Sequence, residues 1–160
     1  MQNNKKRHLI KIPIDEIKEN VCAEPREPCT QEELSTILQD LRSAVDRKSY
    51  IPQTPTEDNP ALSDDYIFDA DDENLVLKDL TEMNFVGKIK DVGRGAIRRL
   101  RQGFPQEYLY VFKYPCKLAR RDAQESGTNE EKVLIYIKIN DRKVPEEKLF
   151  IVSFHKNRPK

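Results

Sequence analysis

Histidine is scarce in this chain, two in 160 residues, and one of them, His155, ends an alternating apolar run from Leu149 to Phe154. An imidazole titrates near neutrality and can take or give a proton, as general acid–base chemistry requires. A second alternating run, Val133 to Ile139, places Tyr136 and Lys138 on one face of a strand, because successive side chains point to opposite sides. If the two strands pair as neighbours, a proton-transfer group, a phenol and an ammonium share one surface. That set suits a phosphodiester. The ammonium offsets charge developing at phosphorus, and the phenol stacks on a base or donates a hydrogen bond. Each residue also has an ordinary reading, as a surface histidine, a half-buried sheet tyrosine and a lysine snorkelling from a sheet edge.

Charge supports a polyanion as the ligand. The chain is formally neutral, yet Glu57 to Glu82 carries ten acids and one base, while Val86 to Arg121 carries ten bases and two acids. Such asymmetry marks a basic working face, shadowed by an acidic loop, because a local field steers polyanions whatever the net charge. The residues expected to hold RNA phosphates are Lys88, Lys90, Arg94, Arg98, Arg99, Arg101, Lys113, Arg120 and Arg121. The alternative is a solvated surface laced by internal salt bridges.

The elements that must position these groups follow from local pattern. Residues 1–29 mix charges with prolines and read as a flexible extension; within them Leu9, Ile10, Ile12 and Ile14 form either an edge strand or a tail. Thr30 and Glu33 form a capping box, after which Leu34, Ile37, Leu38, Leu41, Ala44 and Val45 recur at helical spacing to about Arg47. Three prolines and many acids make residues 50–74 an acidic surface loop, with a turn near Asp64 to Phe68. Thr81 is expected to cap a short helix carrying Phe85, Val86 and Ile89 inward, broken by Gly93 and Gly95. A further short helix, Ala96 to Gln102, should turn Arg98, Arg99 and Arg101 to solvent and stop at Gly103.

Three alternating runs then read as strands: Tyr108 to Tyr114, Val133 to Ile139 and Leu149 to Phe154. The stripe Tyr108, Tyr110, Phe112 and Tyr114 reads as core and sheet rim rather than a base-stacking platform. Helices first and an antiparallel meander last define an α+β fold, a single domain over 30–156 with a tail at 157–160.

Other chemistries lack their residues. There is no glycine-rich phosphate loop and no nucleophile elbow. Cys22 and Cys29 are separated by six residues, and His8 and His155 lie at opposite ends, so neither a metal nor a cofactor is expected. An odd count of three cysteines fits a reducing compartment, and no apolar run approaches the roughly 18 residues of a membrane helix, so the expected location is the cytoplasm.

Four segments, Asp79-Leu80-Thr81 through Asn84-Phe85, Leu109 to Phe112, Ile135 to Lys138 and Ile151 to His155, resemble the MqsR-type toxins of bacterial toxin–antitoxin pairs. Leu34 to Ile51 is similar to the opening helix and short strand of that family. The resemblance implies a RelE-like fold and a metal-independent endoribonuclease that cleaves messenger RNA, with or without the ribosome, and is neutralised by a cognate antitoxin. It matches Tyr136 to the family's strand tyrosine and Lys88 or Lys90 to a lysine of its short helix. His155 stands where the family commonly has lysine, and Tyr108-Leu109-Tyr110 where it often has tryptophan, glutamine and aspartate. On the same surface without the chemistry, the protein would be a non-catalytic RNA-binding or protein-interaction module.

Overall fold

A computed structural model describes residues 9–13, 26–47, 50–52, 62–121, 130–140 and 150–156. Helix α1 spans Gln31–Asp46, and Thr30 Oγ1 accepts from Glu33 N at 3.0 Å, which is the Thr30 half of the expected capping box. All six periodic apolar residues of α1 are buried. The Glu33 carboxylate accepts from Lys88 Nζ and from the Tyr110 hydroxyl, each at 2.6 Å, which pins the helix to the sheet.

The expected loop over 50–74 is corrected. Tyr50–Pro52 is a strand (β2), Leu62–Asp65 is a helical turn (α2), and Ala70–Asp79 is a helix (α3); residues 53–61 lie outside the described residues. The acids themselves start α3. Asp69 and Asp72 form a reciprocal capping box, and Asp71, Asp72 and Glu73 face the positive end of the helix dipole. Val76, Leu77 and Leu80 are then buried against α1 and the sheet.

Thr81 does cap, but what it caps is a single 3-10 turn, Glu82–Asn84, and the segment expected to be a helix is strand β3, Phe85–Lys90. Asn84 decides this. Its side-chain oxygen accepts from Thr81 N, and its amide donates to the Lys113 carbonyl at 2.9 Å, bringing the chain alongside its partner strand. Helix α4, Arg94–Arg101, follows, and Gly103 adopts φ +98, which favours glycine and ends the helix.

The sheet is built around β4 (Tyr108–Ala119) and β5 (Glu130–Asn140), which pair antiparallel along eleven residues. Strand β6, Phe150–Lys156, adds antiparallel to β5, so β4, β5 and β6 form the expected three-stranded meander, and β3 adds antiparallel to β4 as a fourth strand. The class is α+β. One departure is β2, which pairs parallel to β6 at the edge. A strand β1, Leu9–Lys11, pairs with β4 beyond β3, so part of the expected extension belongs to the sheet. Residues 1–8 and 14–25 and the tail 157–160 lie outside the described residues. No helix among the described residues is long and apolar enough to cross a membrane.

One face of the sheet carries Tyr110, Phe112, Tyr114, Cys116 and Leu118 of β4 with Val133, Ile135, Ile137 and Ile139 of β5, all buried beneath α1 and α3. The tyrosine stripe is therefore core. The Tyr114 hydroxyl donates to Asp79 at 2.8 Å, and burial and this carboxylate together raise its pKa. Burial, helped by the Asp72 charge, pushes the Cys116 thiol up to about 12.

A thiol that ionises near 9 when unfolded and near 12 when folded keeps its proton longer in the native state. Its contribution is present below about pH 9 and is lost as pH rises towards 12, because the folded chain then binds more protons. Urea denaturation from about pH 8 to about pH 11 should show stability falling with pH, and Cys116→Val should flatten that fall.

Candidate nucleic-acid interface

The face turned away from α1 and α3 holds the other half of each alternation. From β4 come Leu109, Val111, Lys113 and Lys117; from β5 come Lys132, Leu134, Tyr136, Lys138 and Asn140. Register then fixes a row. Tyr136 is opposite Lys113 on β4 and opposite His155 on β6, and Lys138 is opposite Val111 and Ser153. Residues opposed across antiparallel strands have Cβ atoms about 4.5–5.5 Å apart on a common face. Lys113, Tyr136 and Lys138 are half-buried. The structure thus brings together the positions of His155, Tyr136 and Lys138, which the alternation had put on one surface.

Helix α4 is held at one end of this face by a buried polar cluster. Arg99 grips Glu107 with two nitrogens, Nη2 at 2.8 Å and Nε closer still. Glu107 is 2% exposed, and Asn140 donates to both Glu107 (2.8 Å) and Asp91 (2.7 Å). Asp91 in turn accepts from the Gly93 N–H at the start of α4. A buried carboxylate is tolerable only when its acceptors are filled, and here an arginine and an amide fill them.

This cluster corrects the expectation that Arg98, Arg99 and Arg101 all face solvent. Arg99 is turned inward, whereas Arg94, Arg98 and Arg101 are exposed, spaced four and three apart along one side of α4. They present three guanidinium groups over a rise of roughly 10 Å.

The remaining expected phosphate contacts are dispersed. Lys88 lies on the helix side of β3, bound to Glu33 and 4.3 Å from the Tyr108 ring centroid, so it clamps the core. Lys90, exposed at the end of β3, has the same register parity. Lys88 and Lys90 both stand on strand β3 rather than on the short helix expected there. Arg120 pairs with Glu131 at 3.1 Å and lies over the Tyr66 ring, and Arg121 Nε donates to the Ser63 carbonyl. The length of β4 separates these two from α4 by roughly 40 Å.

One residue was not legible as part of this face. Arg26, in a Pro-flanked segment with no periodicity, lies beside β3 because Glu27 N donates to the Lys88 carbonyl at 2.7 Å. It lines a hollow together with Gly87, Ile89, Val111, Tyr136 and Lys138. Among the described residues no cluster of histidine, cysteine and acidic side chains converges as a metal site; Cys22 and His8 lie outside them. Comparison of the chain with protein-family models, with curated proteins and with solved structures finds no match.

Neighbouring arginines on α4 should behave oppositely. Arg99→Ala strands the buried Glu107 and should cost about 3 kcal/mol in chemical denaturation, while Arg98→Ala should change stability by less than about 0.5 kcal/mol.

Proposed function

We propose that the protein is a metal-independent endoribonuclease of the MqsR type, acting on messenger RNA in the cytoplasm and held in check by an antitoxin protein. The observation that carries this reading is the cross-strand row in which the positions of Lys113, Tyr136 and His155 are direct neighbours, with Lys138 two residues along. Such a row sets the backbone positions of a cation, a phenol and an imidazole side by side, which is the set a phosphate would need. The ribose 2′-oxygen then bonds to the adjacent phosphorus as the bond to the 5′-oxygen breaks. The 2′-hydroxyl gives up a proton and the leaving 5′-oxygen gains one, with His155 as the acid–base group, Tyr136 orienting the substrate and Lys138 offsetting phosphoryl charge.

The exposed Arg94, Arg98 and Arg101 are the groups assigned to strand contacts outside the reacting phosphate. With Lys88, Arg99 and Arg120 engaged by carboxylates, binding draws on fewer bases than the sequence contains. That leaves a non-catalytic RNA-binding module as the second reading.

Purified protein and His155→Ala should be incubated with labelled RNA in EDTA, with and without ribosomes, and fragment ends analysed. The expected result is fragments ending in 2′,3′-cyclic phosphate for the native chain, reduced by about a hundredfold or more in the variant. Intact RNA in every lane, with retention that weakens steeply as salt is added, would replace the nuclease by the binding module.

A further inference from the structure

The hollow beside Tyr136 has a composition that the cleavage reading does not use. Val86, Gly87, Ile89 and Val111 line it together with Tyr136, Lys138 and Arg26. Its volume, about 110 Å³, is well below the roughly 300 Å³ at which pockets for whole ligands begin, so it admits one small ring system. Gly87 is what keeps it open to Arg26. A Cβ at that position would lie 2.8 Å from Arg26 Cδ and 3.2 Å from Nε, so the arginine stem rests directly on the β3 backbone.

The lining combines apolar side chains with two cations, Arg26 and Lys138, and its planar groups are a phenol and a guanidinium. Among the described residues no carboxylate pairs with Arg26 or Lys138. A ligand complementary to this is planar and weakly polar in its body and negatively charged at its edge. A nucleobase carrying its phosphate has that form. Single-stranded RNA is the source that offers it, because bases in a duplex are stacked within the helix, whereas unpaired bases are splayed onto aromatic and arginine planes.

We infer that this hollow receives one unpaired base of the RNA, the nucleotide flanking the phosphate held over the Lys113–Tyr136–His155 row, with Arg26 and Tyr136 as its stacking surfaces and Lys138 on its phosphate. The inference rests on the nucleic-acid reading of this face. Arg26 is then a specificity residue, contributed by a segment far from the strands that carry the acid–base groups. Because the hollow is small, it discriminates between bases at a single position.

The test uses the full chain with isotopically labelled methyl groups and a short single-stranded 2′-O-methyl RNA, which binds but has no 2′-hydroxyl to attack. Base insertion should shift the Ile89 and Val111 methyl resonances through ring currents. Arg26→Ala, and independently Gly87→Ala, which displaces the Arg26 side chain, should lower affinity for single strands about tenfold and abolish those shifts. Duplex RNA of the same sequence should bind without them. Binding with unmoved Ile89 and Val111 methyls overturns the inference and leaves the nuclease reading standing, as does inorganic polyphosphate reproducing the shifts. Shifted methyls in a protein that cuts no RNA uphold the hollow and remove the nuclease reading. Failure of single-stranded RNA to bind at low salt overturns both.

Discussion

The two-residue period of β4 and β5 is the constraint on which the rest of the molecule depends. Over the eleven paired positions the two strands present large apolar groups to one side and, to the other, a mixed set that includes Lys113, Lys117, Lys132, Tyr136 and Lys138 beside Val111 and Leu134. Sliding either strand by one residue would bury Lys113, Tyr136 and Lys138 and expose Phe112 and Ile137, so a single register serves both core and surface. The helices choose the face. α1 and α3 cover the aromatic side, where Tyr110 and Tyr114 direct their hydroxyls to Glu33 and Asp79 rather than leaving them unpaired. These carboxylates bind helix to sheet by groups that only the aromatic face offers.

That arrangement changes the meaning of the charge asymmetry. The described part of the acidic segment is largely helix start and helix–sheet contact: Asp69 and Asp72 cap α3, and Asp79 takes Tyr114 and Lys11. It packs on the side opposite Tyr136, so these acids do not shadow the basic face. Several of the bases are likewise internal. Lys88, Arg99 and Arg120 each hold a carboxylate, while Arg94, Arg98 and Arg101 are exposed on the outer side of α4. Part of the charge counted in the sequence is therefore used within the fold, on helix starts and internal ion pairs.

What was legible in the sequence was what local pattern alone decides. Thr30 with Glu33, the period of α1, the three long alternations and Gly103 each act within a few residues. Where the outcome turned on distant partners, the pattern misled. Phe85, Val86 and Ile89 fit an inward helical face as well as a strand, and the Asn84 bond to Lys113 across 29 residues resolves it. The acids of α3 resembled loop composition because a helix N-terminus and a surface loop favour the same residues. The parallel pairing of β2 with β6 joins Tyr50 to Phe150. No local signal records such a contact. The same holds for Arg26, whose place follows only from the course of the chain past β3.

The position of His155 bears on how such a surface could work. It stands at the register position opposite Tyr136, in the row that also holds Lys113, and these positions are set by ladder hydrogen bonds rather than by loops. Groups carried on paired strands hold their spacing within the tolerance that proton transfer demands, whereas a lysine on a flexible stem must be ordered at each turnover. An imidazole in that row also differs from an ammonium in kind. An ammonium with an ordinary pKa near 10 holds its proton at pH 7 and serves mainly as a charge, while an imidazole near 6.5 exchanges one. On the proposed reading, a histidine at this position adds a group that can exchange a proton to a row otherwise suited to holding phosphate.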